Sequence, residues 1–170
     1  LRDTSNITIT GGKITAIGGN DGAAAIGGGY DGTGKNIRIA GNADVTAVSA
    51  DGAAIGGGIG SGNSVTITDD AVVDARSAFA AAIGNGDQVG RSNEPTTITI
   101  SGNATVHAET KEFGCAIGSG QHYSSDLTIN IEKNANVTAI ASHDNPAIGN
   151  AGCHGDTTTT INITGGTVNA

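Results

Sequence analysis

The segment Ala-Ile-Gly returns five times in this chain, as Ala25-Ile26-Gly27, Ala54-Ile55-Gly56, Ala82-Ile83-Gly84, Ala116-Ile117-Gly118 and Ala147-Ile148-Gly149. The returns are about 28 to 34 residues apart, too long for a hairpin meander and the right length for one coil of a solenoid stacked on its neighbours. Two further segments recur in step. The first alternates apolar and polar residues, as in Ile7-Thr8-Ile9-Thr10, Ile37-Arg38-Ile39-Ala40, Val65-Thr66-Ile67-Thr68 and Ile98-Thr99-Ile100-Ser101, and period two means strand. The second follows a turn and is shorter: Ile14-Thr15-Ala16, Val45-Thr46-Ala47, Val73-Asp74-Ala75, Val106-His107-Ala108, Val137-Thr138-Ala139 and Val168-Asn169-Ala170.

Three short strands per turn predict an all-β fold, a parallel β-helix of about five to six coils, and the usual sense of parallel crossovers makes it right-handed. Alternation sends Ile7, Ile9, Ile14, Ala16, Ala24 and Ile26 inward in the first coil, with counterparts above them in later coils. Composition suits a narrow bore: aromatics are 2% of residues, Met and Trp are absent, and 29 glycines supply the corners. Residues 1–170 read as one β-helix domain. The pattern begins almost at once and stops within a coil, so the chain is expected to be a segment of a longer repetitive protein. Its open ends would be covered by further coils or would associate end to end.

A net charge of −8 and a pI near 4.6 argue against unaided binding to nucleic acid or to an anionic membrane. No apolar run approaches the roughly 18–20 residues of a membrane span. Cys115 falls at an inward position and is expected to be a core filler. Cys153 lies about seven residues out of phase with it, roughly 20 Å along an extended chain, which excludes a disulfide between them.

Candidate chemistry is sparse. His122, Cys153 and His154, with Asp156, include zinc-ligand types, but a loop of variable length carries them and the plainer reading leaves them as solvated residues. No cofactor is expected. Calcium could find ligands at the acidic corners Asn20-Asp21-Gly22, Asp51-Gly52 and Asp144-Asn145, but the equivalent corners of the third and fourth coils read Ala78-Phe79-Ala80 and Glu112-Phe113-Gly114. The one set resembling a catalytic cluster is Asp44, Asp74 and Arg76 with His107 one coil on, in a column of Thr15, Thr46, Asp74, His107, Thr138 and Asn169. An ordinary polar face explains it as well.

Binding is favoured over reaction. Tyr30 and Tyr123 both follow the third strand, in the loops that vary most between coils, and recognition usually sits on variable loops of a rigid scaffold. Thr66, in a hydroxyl and amide row with Thr8, Thr99, Asn130 and Asn162, offers a flat hydrogen-bonding sheet. Tyr30, Tyr123, Thr66, Asp74 and His107 are therefore the expected ligand-contacting residues, and a glycan or another cell-surface ligand is the expected partner.

The stretch from Ile7-Thr8-Ile9-Thr10-Gly11-Gly12-Lys13-Ile14-Thr15-Ala16 to Gly22-Ala23-Ala24-Ala25-Ile26-Gly27-Gly28-Gly29 resembles the glycine-rich repeat of large secreted surface proteins of Gram-positive bacteria, especially gut Clostridia-type organisms. The pattern runs through nearly the whole chain and degenerates later, where Gly57-Gly58 becomes Asn85-Gly86, Ser119-Gly120 and Asn150-Ala151. The resemblance implies a pectate-lyase-like β-helix in an extracellular, non-enzymatic role as adhesive, carbohydrate-binding or stalk segment. The alternatives are a polysaccharide lyase or hydrolase and a self-assembling fibre subunit. No catalytic residue of that family maps onto this chain.

Overall fold

The strand patterns fold as expected into three parallel sheets wound as a β-solenoid of about five turns, three strands to the coil. The structure, a computed structural model, describes residues 4–60, 63–87, 94–122, 125–152 and 157–170, and no helix occurs among them. The first sheet stacks Thr4–Ile9, Gly34–Ile39, Ser64–Ile67, Thr96–Ile100, Leu127–Ile131 and Thr159–Ile163. The second stacks Lys13–Ile17, Asp44–Ser49, Val72–Ser77, Thr105–Thr110, Asn136–Ile140 and Thr167–Asn169. The third stacks the Ile-Gly pairs of the five Ala-Ile-Gly segments.

Register puts like upon like. Ile7, Ile37, Val65, Ile98, Ile129 and Ile161 form one column, and Ile9, Ile39, Ile67, Ile100, Ile131 and Ile163 a second. The second sheet contributes Ile14, Val45, Val73, Val106, Val137 and Val168 beside a column of alanines from Ala16 to Ala139. The third sheet adds Ile26, Ile55, Ile83, Ile117 and Ile148. Isoleucines facing alanines fill the bore without aromatics, and the central ones are fully buried. Each such Ile contributes about 1.5–3 kcal/mol relative to an exposed one. Parallel sheets are ordinarily covered on both faces; here closure of the coil buries one face of each.

The third side departs from the expected alternating strand. It is a two-residue bridge, and Ala25 rather than Ala24 packs on the core, as do Ala54, Ala82, Ala116 and Ala147. The preceding residue turns its N–H back on its own coil: Ala24 donates to the Gly28 carbonyl (2.9 Å), Ala53 to Gly57 (3.0 Å), Ala81 to Asn85 (3.1 Å) and Cys115 to Ser119 (2.9 Å). Each Ile-Gly pair is thus clasped in a short arch.

Between coils, the residue after each glycine donates to the glycine carbonyl of the next coil: Gly28 to Gly56 (2.9 Å), Gly57 to Gly84 (3.0 Å), Asn85 to Gly118 (2.9 Å) and Ser119 to Gly149 (3.2 Å). The bridge glycines hold φ of 134° to 146°, a conformation essentially reserved for Gly. They also lack space: a Cβ on Gly27, Gly56, Gly84 or Gly118 would overlap the carbonyl oxygen of the glycine in the coil that follows. The turns joining the first and second sheets are more tolerant, since Asp69 (φ 62°) and Lys133 (φ 59°) take the left-handed position held by Gly41 and Gly102.

The apparent decay of the glycine pattern after the bridge is a gain of buried hydrogen bonds. Asn85 and Ser119, which replace Gly57, are fully buried. The amide of Asn63 donates to Asn85 Oδ1 (2.5 Å) and to the Gly84 carbonyl (3.1 Å), while Asn63 Oδ1 accepts from the Gly34 N–H (2.6 Å). Thr96 Oγ1 donates to Asn85 Oδ1 (2.6 Å), and Ser119 Oγ to Asn150 Oδ1 (2.7 Å). The corner between the third and first sheets is therefore a polar column in which each member satisfies a neighbour, as burial of amides and hydroxyls requires.

The difference in space predicts a difference in cost. Gly84→Ala must displace the Gly118 carbonyl and is expected to destabilise the chain by about 4 kcal/mol or more. Gly149→Ala, whose nearest neighbour is the Pro146 side chain at 3.7 Å, should lose only about 1–3 kcal/mol for its backbone conformation. Urea unfolding of the two variants, compared by midpoint at constant slope, checks this; equal losses would refute the steric explanation.

Candidate functional site

The loops on either side of the third sheet rise above its short strands and enclose a groove of about 550 Å³. One wall comes from the corners before the bridge, with Asn20, Asp21, Asp51, Phe79 and Phe113. The other comes from the loops after it, with Tyr30, Ile59, Asp87, Gln121 and His122. These residues belong to four successive coils, so the groove runs about 14 Å along the axis, three strand spacings.

Its aromatic wall is built by stacking. Phe79 is fixed by its N–H to the Ala50 carbonyl (2.9 Å), and Phe113 by its N–H to the Ala78 carbonyl (3.2 Å). The two corners adjoin, and their rings lie 6.2 Å apart at 32°. Phe113 in turn lies 5.6 Å from the His143 ring at 31°. Phe79 is 40% exposed and Tyr30 52%, so both present ring surface to solvent.

The polar lining is acidic. His122 Nδ1 and Asp87 Oδ1 hydrogen-bond at 2.6 Å, which aligns two neighbouring loops. Among the described residues, neither Asp21 nor Asp51 has a cation within ion-pairing distance, and no Lys or Arg lines the groove.

On the second sheet, register confirms the column Thr15, Thr46, Asp74, His107, Thr138 and Asn169. Asp74 accepts from Arg76 Nε (2.9 Å) and NH2 (3.1 Å), and that bond and charge hold the guanidinium proton more tightly than usual. Glu109 lies 3.8 Å from Arg76 and 3.7 Å from His107 Nε2. Asp44 belongs to a different column and is taken by Lys13 at 2.7 Å. The cluster thus comprises Asp74, Arg76, His107 and Glu109, without Asp44.

The expected ligand-contacting residues do not converge on one site. Thr66 lies on the outer face of the first sheet, stacked between Arg38 and Thr99. Asp74 and His107 are paired neighbours on the second sheet, and Tyr30 is in the groove. Tyr123, Cys153, His154 and Asp156 lie outside the described residues. Among the described residues no three His, Cys, Asp or Glu side chains gather as a metal would need; of the acidic corners, Asp21 and Asp51 line the groove. Cys115 is free and fully buried, but it stands at the arch position of Ala24, Ala53 and Ala81, outside the apolar cluster that fills the bore, rather than as the expected core filler.

Phe79 and Phe113 are the functional candidates that sequence reasoning passed over. Both stand a few residues before the bridge in adjacent coils, a position at which the stacking of coils alone brings side chains together. The signal was present, but the two corners differ by one residue in length and the match is visible only once the bridges are aligned.

Two stretches, residues 7–30 and 98–121, match the model of a family described as beta helix repeat. They cover the first coil and the fourth, each from the first sheet through the bridge, and with the three stacked sheets they support the pectate-lyase-like parallel β-helix. Neither the curated proteins nor the solved structures give a match.

Burial pushes the Cys115 thiol up from 9.0 to about 11, against the smaller opposing effect of hydrogen bonds from Ser119 and Ala151. The folded chain therefore keeps a proton that the unfolded chain loses above pH 9. Stability should be unaffected below pH 9 and fall by on the order of 2–3 kcal/mol as pH rises to about 11. Cys115→Ala, which restores the residue found at Ala81, should remove that part of the decline. An unchanged alkaline profile in the variant would place the titration elsewhere.

Proposed function

We propose that this chain is a non-enzymatic, extracellular β-solenoid that serves as a scaffold and contacts carbohydrate through the groove over its third sheet. The observation that carries the reading is one groove that holds the exposed rings of Phe79 and, on the opposite wall, Tyr30, with Phe113 stacked on Phe79, among carboxylates and amides. Pyranose rings present C–H faces that pack on aromatic rings, and hydroxyls that donate to carboxylates and side-chain amides. A rigid stack of coils holds these groups at fixed spacing, so little ordering is required on binding. The resemblance to secreted bacterial surface proteins accords with a location outside the cell and an adhesive or stalk role.

A second reading, polysaccharide cleavage, has Asp74, Arg76, His107 and Glu109 as its support. The geometry favours it less, because both oxygens of Asp74 accept from Arg76 and the cluster lies on an open sheet. Screening against a glycan array and a panel of polysaccharides separates the two. Binding without product release is expected, weakened about tenfold or more by Phe79→Ala or Phe113→Ala and unchanged by Asp74→Ala. Product release abolished by Asp74→Ala would overturn the scaffold reading.

A further inference from the structure

The charge of the groove selects among glycans. We infer that it takes oligosaccharides bearing free amino groups, of the glucosamine type, in preference to neutral or acidic ones; this rests on the carbohydrate reading above.

Three carboxylates, Asp21, Asp51 and Asp87, line the groove, with no Lys or Arg beside them among the described residues. Asp87 is engaged by His122, whereas Asp21 and Asp51 lack an ion-pair partner among the described residues. They stand at equivalent corners of adjacent coils, before Gly22 and Gly52, and so lie about one coil spacing apart on the same wall. The rings act in the same sense. The faces of Tyr30, Phe79 and Phe113 carry negative quadrupole potential and attract ammonium groups. Protein walls around a cleft of one sign focus its field toward a ligand, and the net charge of −8 reinforces it at longer range. An ammonium-bearing sugar can satisfy both features, its ring packed on Phe79 or Phe113 and its amine directed to Asp21 or Asp51. A uronate or sulfated sugar would have to bury its charge against carboxylates, and an N-acetylated sugar offers no charge to them.

Titration calorimetry on the whole chain with four probes tests this: the glucosamine tetramer, its fully N-acetylated counterpart, a tetragalacturonate and a lysine tetrapeptide. The glucosamine tetramer should bind at least about tenfold more tightly than the N-acetylated one, and the advantage should shrink with added salt. The double substitution D21N and D51N should abolish the preference while leaving residual affinity for both. Both positions are at surface corners, and an unchanged thermal midpoint would verify that the variant folds. Equal or tighter binding of the N-acetylated or galacturonate probe overturns the inference and leaves the carbohydrate reading in place. Failure of every saccharide to bind overturns that reading itself. Tighter binding of the lysine peptide than of the glucosamine tetramer overturns the glycan class and assigns the groove to basic polypeptide.

Discussion

The rest of the molecule depends on one hydrogen bond repeated along the axis, from the residue after each bridge glycine to the glycine carbonyl of the next coil. The accepting oxygen occupies the space a Cβ would need, so the bond and the glycine require one another. This close approach sets the phase of the coil. Once Gly56 stands over Gly27, Ile55 stands over Ile26, and the arch that clasps each pair fixes where the chain enters and leaves the third side. The isoleucine, valine and alanine columns of the other two sheets then meet in register.

That constraint also decides where function can be placed. The bridge has two residues per coil, and its alternate side is glycine, so it offers little side-chain surface of its own. Longer loops enter and leave it on both sides, and their walls make the groove. The outer faces of the first and second sheets, by contrast, are flat ladders in which several groups are already paired: Asn162 donates to Asn130 at 2.9 Å, and Asp74 is held by Arg76. A ligand meeting those faces would compete with these pairs. In the groove, among the described residues, ring faces and two carboxylates are left available.

Much of the fold was legible because it repeats with a short period. Alternation in Ile7-Thr8-Ile9 and its five counterparts named the inward columns, and Ala-Ile-Gly supplied the phase that aligned the coils. The third side was less legible, since two residues cannot display an alternation and Ala24 and Ala25 look alike in sequence. The replacements at Asn85, Ser119 and Asn150 looked like decay of a glycine motif because the partners of Asn85 (Asn63 and Thr96) and of Asn150 (Thr157) lie a loop away, and Ser119 meets Asn150 only once the coils are stacked. The groove was half legible: Tyr30 was singled out from loop variability, but Phe79 and Phe113 were set aside as corner residues. Corners separated by more than 30 residues in sequence become neighbours through stacking, and their pairing depends on loop lengths that a repeat pattern does not encode.

Amide hydrogen exchange, read residue by residue, tests the bridge most directly. The N–H groups of Gly28, Gly57, Asn85 and Ser119 sit at loop entrances, where exchange would ordinarily be fast. If each donates to the next coil's glycine, they should exchange only with global unfolding, at the same free energy as the core amides of Ile98 and Val106. Exchange of these four at loop rates, with the sheet amides still protected, would contradict the bridge as the interaction on which the coil depends.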